Sequence, residues 1–566
     1  MTNNYKSNLN PMFRSKFSED IFNHKYRHEG AETWSALAKT LVDDVCSAAG
    51  DQAMTQEDKD QLVEYIRDMK FIPGGRYLYY AGRSNKFFNN CYLLRAEEDS
   101  REDWANLSWK AESCLMTGGG IGVDYSVYRG EGAPIQRTGG QASGPIPKMN
   151  MINEIGRRVM QGGSRRSAIY ASLNWKHADV KSFLKAKDWA DMPVAGTGKS
   201  LWDIKQEDFN FPAPLDMTNI SVNYDTEWLL NYYKTGDPGD VFKENVRQAL
   251  KTAEPGFSFN FFDKENETLR NACTEVTSED DSDVCNLGSL NLGRISDIHE
   301  LQDVVRLSTM FLICGTLKAD LPYDKVKEVR WKNRRLGLGL MGMHEWLIQR
   351  GYKYEVTPEL HNWLSVYKGE SDKVSKEFAD RLSITRPVAN RAIAPTGSIG
   401  ILAGTSTGIE PIFAVAYKRR YLKGGNRWHY QYVVDSAAQE LIDRYGANPE
   451  NVESALDLAD KYEQRIKFQA DVQDYVDMSI SSTINLPAWG SKLNNENTVD
   501  DFSDTLAKYA HRLRGFTCYP DGSRGGQPLT SVPYQEAVDK LGEEFEEHVE
   551  AHDICDLSGQ GGSCGV

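Results

Sequence analysis

Apolar residues recur at helical spacing through "ETWSALAKTLVDDVCSAAG" and again through "QEDKDQLVEYIRDM", which predicts helices over about residues 32–68 with a stop at Gly50. From "FIPGGRYLYYAG" onward the pattern changes to short β-rich runs, "NNCYLL", "GIGVDYSVY", "FSFNFF" and "RAIAP". These alternate with helical stretches such as "MNMINEIGRRVM" and "WLLNYYKTGDPGDVFKENVRQALKTA". The alternation predicts an α/β fold with mostly parallel strands. Near the end, Phe502, Leu506, Tyr509 and Leu513 share one face of a helix that stops at Gly515, and "FTCY" reads as a buried strand entering the turn "PDGS". From about Glu536 an acidic segment runs into a Gly/Ser tail, whose last residues are expected to be mobile because no core-forming pattern remains.

Composition narrows the class. With 40% apolar and 26% charged residues over 566 positions, the chain is an ordinary globular protein with room for a large core, not a disordered or fibrous one. A formal net charge of -15 argues against a surface that coats nucleic acid; the basic runs "GRRVMQGGSRR" and "YKRRY" are local. Phosphate, if handled, is small and held in a pocket. The N-terminus lacks a secretory pattern, and the longest apolar run, around "MFLICGTL", is too short to span a bilayer. The expectation is a soluble, cytoplasmic protein, in the host cytoplasm if viral, with no membrane partner. Nine cysteines at irregular spacing form no disulfide framework, leaving free thiols, metal ligands or redox chemistry.

Three cysteine settings invite chemistry. In "NACTEV", an extended backbone would project Asn271, Cys273 and Glu275 to one face: an amide, a thiol and a carboxylate in one space. A solvated loop with an incidental cysteine is the plain alternative. Cys91 in "FFNNCYLL" and Cys285 in "VCNLGSLNL" sit in strand-like contexts, where a cysteine is commonly a small buried hydrophobe. Cys555 and Cys564 flank "DLSGQGGS", which offers no core, and so suggest thiol–disulfide exchange by a flexible tail. Zinc at that tail, with His548 and His552, is the weaker reading because no CxxC knuckle is present. "APTGSIG" reads as strand, turn and helix start, so Thr396, Gly397 and Ser398 are candidates for holding a diphosphate, a plain turn being the alternative. "TGGGIG" lacks the spacing and acidic residue of a dinucleotide fingerprint and is rejected as a cofactor loop.

Together these motifs, with "FIPGGRYL", "VMQGGSRRSA", "NRRLGLGLMG", "SISSTINLP" and "TCYPDGSRGGQ" in order, resemble the catalytic large subunit of ribonucleotide reductase over nearly the whole chain. The resemblance implies a ten-stranded α/β barrel of two antiparallel five-stranded halves, with "NACTEV" on a loop threaded through its centre. It implies a short helical region over 1–70 without an ATP cone, the catalytic barrel with an effector-binding dimer face over 71–535, and an acidic segment with a redox tail over 536–566. By the same resemblance Cys273 would carry the thiyl radical, Glu275 would be the general base and Asn271 would hydrogen-bond the sugar. Cys91 and Cys285 would be the redox pair, re-reduced by Cys555 and Cys564, which pass oxidation to thioredoxin or glutaredoxin. Their settings are then expected to be polar and mobile. Gly162, Gly163, Ser164 and Arg165 would form the substrate-base specificity loop, and Arg129 and Asp99 would contact an effector nucleotide (dTTP, dATP, dGTP or ATP, with Mg2+) in a homodimer.

For the radical source the resemblance leaves two options. One is a separate ferritin-like metal subunit acting through tyrosines, with Tyr519 at the relay position and Cys518 where a second tyrosine is usual. The other is adenosylcobalamin bound by this chain. Cobalamin-dependent relatives usually read Asn-Pro-Cys-Gly-Glu at the loop tip, and here Ala272 and Thr274 flank the cysteine. A branched side chain in place of that glycine disfavours close approach of a cofactor, so the expectation is a partner subunit and no cofactor tightly bound in this chain. The resemblance further implies ribonucleoside diphosphates as substrates, the residues themselves leaving triphosphates open, and no metal ligand set is expected.

Overall fold

The computed structural model describes residues 12–50, 53–159, 167–208, 211–423, 427–523, 529–541 and 543–548. In one half of the molecule Cys91–Arg95, Gly120–Asp124, Ile169–Asn174, Thr218–Tyr224 and Gly256–Phe259 lie side by side, all parallel. In the other, Asp283–Asn291 runs parallel to Leu336–Met341, and Thr483–Leu486 parallel to Gly515–Pro520. An extended segment fills the space between these two pairs: Arg391 bridges Leu338, and Ile393 bridges Ile480, both in parallel sense.

The halves meet antiparallel at two seams. Asp283, Val284 and Cys285 face Leu93, Tyr92 and Cys91 at one, and Gly515 and Phe516 face Ser258 and Phe257 at the other. The result is a closed α/β barrel of two antiparallel halves, as expected; the ten-stranded sheet that builds it includes Phe71–Pro73, paired antiparallel along Asp283–Asn291. Every residue of Asp283–Asn291 and of Leu336–Met341 is buried, as parallel strands covered on both faces require.

The N-terminal helices Trp34–Val45 and Gln56–Arg67 form where the periodicity places them, each capped by a threonine hydroxyl, of Thr33 and Thr55. They bury Trp34, Leu37, Leu41, Leu62 and Ile66 in the same apolar cluster as Leu290, Phe311 and Trp346, so this region shares the barrel's outer core. Two local expectations change. "GRYLYY", read with the β-rich run, is the helix Gly75–Tyr80: the strand before it ends at Pro73, which has no N–H to extend a ladder. Within the acidic C-terminal run, where no element was expected, Glu544–His548 is a strand paired antiparallel with Arg427–Val434 in a separate four-stranded sheet. Among the described residues no helix is long and apolar enough to cross a membrane.

Candidate active site

Leu269–Arg270 and Thr277–Ser278 form a short antiparallel hairpin, and residues 271–276 close it. The hairpin runs inside the barrel. A Cβ on Gly122 would lie 1.7 Å from the Arg270 carbonyl oxygen, so "TGGGIG" is glycine-rich partly because the loop passes directly over it. Asn219 Nδ2 donates to the Ala272 carbonyl at 3.2 Å, and the Ser479 N–H donates to the Glu275 carbonyl at 2.8 Å. Asn219 belongs to one half of the barrel and Ser479 lies beside Ile480 of the other, so the tip spans both.

Charge fixes the base of the hairpin. Arg270 Nη2 donates to Asn260 Oδ1 at 2.7 Å and to the Arg514 carbonyl at 3.1 Å, while Arg514 Nη2 pairs with Glu267 at 3.1 Å. Burial works to raise the Glu267 carboxyl, but the charges of Arg514, Arg335 and Lys264 outweigh it and hold the group at about 2.

The tip is not extended, the condition under which alternation alone would set Asn271, Cys273 and Glu275 on one face. Two-residue strands this close must be joined by a turn: the Thr274 N–H donates to the Asn271 carbonyl at 3.0 Å, and the Val276 N–H to Asn271 Oδ1 at 3.0 Å. Thr274 adopts φ +71°, in the left-handed region that disfavours a β-branched residue. The Asn271 amide and the Glu275 carboxyl are brought together by this turn, not by strand alternation. Both Glu275 oxygens and Asn271 Nδ2 are buried without a hydrogen-bond partner. Burial pushes the Glu275 carboxyl up to about 7, with the Asn271 amide acting in the opposite direction. A buried carboxyl poised near neutrality beside an open amide is suited to take up a proton from a bound hydroxyl.

Cys91 and Cys285 are direct partners across the antiparallel seam. Such partners have Cα atoms about 4.5–5.5 Å apart, inside the span a disulfide accepts. A Cβ on Gly120 would lie 3.2 Å from the Cys91 sulfur, and one on Gly337 would lie 3.0 Å from that of Cys285, so neither neighbouring position carries a side chain over the thiols. The expected polar, mobile settings are not what the barrel provides. Cys91, Cys273 and Cys285 are exposed by only 3%, 6% and 2%, and Cys285 packs with Leu93, Leu269, Val276 and Met478. Burial pushes the Cys285 thiol well above its ordinary range.

The other candidates lie apart from this centre or outside the described residues. Thr396, at φ +51°, precedes the helix Gly397–Ala403, and its hydroxyl accepts from the Gly408 N–H at 2.8 Å. The Ser398 hydroxyl accepts from Lys25 Nζ at 3.2 Å. Lys25 belongs to an N-terminal segment that covers this loop, with Ser18 Oγ donating to the Ile401 carbonyl at 2.7 Å and Arg14 Nη1 to the Gly404 carbonyl at 3.1 Å. Sequence reasoning missed Lys25, because one cation in the polar string "NHKYRHEG" carries no distinguishing signal. Arg129 and Asp99 form a half-exposed ion pair at 2.6 Å. Tyr519 is partly buried on Gly515–Pro520 opposite Asn485, and burial pushes the adjacent Cys518 thiol up to about 12. Gly162, Gly163, Ser164, Arg165, Cys555 and Cys564 lie outside the described residues. Among the described residues no three His, Cys, Asp or Glu side chains gather as a metal site.

This architecture has known counterparts. The chain matches the family described as "Ribonucleotide reductase, barrel domain" over residues 89–197, 223–361 and 386–519, more than half its length. It is 26% identical over 538 residues to a vitamin B12-dependent ribonucleoside-diphosphate reductase of Mycobacterium tuberculosis, covering 86% of this chain and 75% of that protein. It is 26% identical to a putative adenosylcobalamin-dependent ribonucleoside-triphosphate reductase of Mycobacterium phage D29, covering 92% and 95%. Its fold superposes with a TM-score of 0.69 on the class Id ribonucleotide reductase alpha subunit of Actinobacillus ureae, at 16% identity, covering 90% of this chain and 97% of that one. Since the family match takes in both halves of the barrel and the hairpin threaded between them, the chain belongs to the ribonucleotide reductase family, as a catalytic subunit.

Proposed function

We propose that this chain reduces ribonucleoside diphosphates with Cys273 as the radical-bearing thiol. The thiyl radical takes the 3′-hydrogen atom of the ribose, Glu275 accepts the 3′-hydroxyl proton, and Asn271 holds the same edge of the sugar. The 2′-hydroxyl leaves as water with a proton from the Cys91 and Cys285 thiols, whose two electrons reduce the sugar as they close to a disulfide. Cys273 then returns its hydrogen atom to C3′ and is a radical again. The observation that carries this reading is the seam itself: Cys91 and Cys285 stand directly opposite each other on strands of different halves. Prereduced enzyme quenched after one turnover should lose two thiols, mapped to Cys91 and Cys285, per deoxynucleotide formed; product without that loss would overturn the assignment.

Around this centre, Thr396, Gly397 and Ser398 would hold the substrate phosphates, Gly162, Gly163, Ser164 and Arg165 would contact the base, and Arg129 with Asp99 would meet an effector nucleotide at a homodimer face. Cys555 and Cys564 would return the disulfide to thiols and pass oxidation to thioredoxin or glutaredoxin.

The radical is delivered, in this reading, by a separate ferritin-like metal subunit with Tyr519 as the point of entry. Thr274 supports it. The loop keeps a left-handed backbone that glycine adopts freely, yet carries a branched side chain beside Cys273, and Thr274 is the one partly exposed residue of 271–276. That side chain does not fit the close approach of a large cofactor. The names of the mycobacterial and phage relatives favour a second reading, adenosylcobalamin bound by this chain. Turnover of the purified chain with adenosylcobalamin alone, set beside turnover with a metal-loaded small subunit, separates the two: activity with the cofactor alone would sink the partner-subunit reading.

A further inference from the structure

Helix Asp324–Asn333 packs against the strand Asp283–Asn291 and carries Arg330, whose guanidinium is wholly buried. Arg330 Nη2 donates to Asn89 Oδ1 at 2.5 Å and to Asn286 Oδ1 at 2.6 Å. Asn89 stands two residues before Cys91 and Asn286 one after Cys285, so a single nitrogen ties together the two chain segments that present the thiols. Arg330 Nε and Nη1 have no hydrogen-bond partner. Among the described residues Arg330 has no ion-pair partner either, in contrast to Arg335, which pairs with Asp283 at 2.7 Å.

A buried cation without an anion lowers stability, and here the space around it explains what it acts on. The charged groups whose fields act most on Cys285 are Arg330, Asp283, Glu275 and Arg335. Asp283 and Arg335 neutralise each other, and Glu275 is protonated below about 7. The Tyr77 hydroxyl, hydrogen-bonded to Asn286 Nδ2, completes the surroundings and is uncharged, since burial pushes it far above neutrality. Below about pH 7 Arg330 is left as the net charge behind the redox seam; above it the ionised Glu275 carboxylate acts against it.

We propose that Arg330 is the positioning residue of the Cys91–Cys285 pair: it ties the two segments at the level of the thiols and supplies the positive field in which Cys285 leaves as a thiolate when their disulfide is re-reduced. The inference rests on the reading of these cysteines as the redox pair. In the step concerned, a thiolate of a dithiol reductant attacks the Cys91 sulfur, and the Cys91–Cys285 bond breaks with its electron pair going to Cys285. A mixed disulfide forms on Cys91, and Cys285 then takes a proton. The second thiol of the reductant displaces Cys91, leaving two protein thiols and the oxidised reductant.

The test uses the full chain. The Cys91–Cys285 disulfide is formed with diamide, and its reduction by dithiothreitol is followed across pH by quenched peptide mapping. Arg330→Gln should slow reduction about tenfold or more and move its pH profile upward, while Arg330→Lys restores much of the rate. Asn89→Asp should also slow it, because a carboxylate on the guanidinium cancels the field without removing the side chain; this variant carries the test if Arg330→Gln does not fold. Reduction by folded Arg330→Gln or Asn89→Asp at the unmodified rate and pH profile would overturn the proposal. If the unmodified chain forms no Cys91–Cys285 disulfide with diamide and loses no such thiols in turnover, the redox reading itself fails, and this proposal with it.

Discussion

Cys46 and Cys314 are buried as completely as Cys91, Cys273 and Cys285, yet the proposed function gives the two groups opposite roles. Cys46 and Cys314 face each other between the N-terminal helices and the helix Ile298–Lys318, among Leu41, Val42 and Phe311, and the neighbouring Cys314 thiol together with burial pushes Cys46 well above its ordinary range. They fill volume. Around the hairpin tip the same residue type stands beside orphaned polar atoms of Asn271 and Glu275, and glycines lie against the thiols of the Cys91–Cys285 seam. Burial alone therefore does not separate a structural cysteine from a chemical one; the unsatisfied groups around it do.

The sharpest way to break this contrast is to remove one thiol from each group. Cys273→Ser should lower turnover by at least about 10³-fold while nucleotide binding survives, whereas Cys314→Ala should leave turnover intact and cost about 1 kcal/mol through a small cavity. Comparable activity in the two variants would erase the distinction.

Glu275 tests the orphaned polar group. Its carboxyl binds a proton more tightly in the folded chain, at about 7, than at its ordinary 4.5. Stability therefore falls as pH rises from the ordinary value through about 7, and the loss is complete above that. Glu275→Gln carries no charge, so at pH 8 it should unfold with a gain on the order of 3 kcal/mol over the unmodified chain, a gain that disappears in acid. Turnover should be lost, and that of the unmodified enzyme should rise with pH through about 7 as the base ionises. An unchanged melting temperature at pH 8 would mean that Glu275 is solvated.

Two smaller effects sharpen the picture of the loop. Gly122→Ala pushes a methyl group into the Arg270 carbonyl and should cost about 1–3 kcal/mol, together with activity, because the hairpin has nowhere to move. Thr274→Gly should instead stabilise by about 1 kcal/mol by relieving the left-handed backbone, read as a higher midpoint in denaturant. A destabilised Thr274→Gly would show that the side chain is held by contacts stronger than the strain.

Much of this was legible in residue order. The alternation of β-rich and helical runs marks an α/β fold because each crossover must carry its own helix, and Asn271, Cys273 and Glu275 fall together because a hairpin tip is a local string. The helices ending at Gly50 and beginning after Thr33 and Thr55 are likewise local, set by periodicity and capping. What local order could not express was contact between distant segments. The seam that sets Cys91 against Cys285, almost two hundred positions along, is a register between two halves of a closed sheet, and register is fixed by packing all ten barrel positions at once. The left-handed Thr274 follows from the turn that closes the hairpin between two short paired strands, against its own residue preference. Arg330 was invisible for the same reason: in the sequence it is one cation on a largely polar helix, and only the fold removes water from it, gives it no carboxylate partner among the described residues and sets it against the segments that carry the thiols. Sequence determined the elements and the reactive side chains because both depend on neighbours in the chain; the tertiary structure decided which groups are dry, which are unpaired and which face each other, because those depend on neighbours in space.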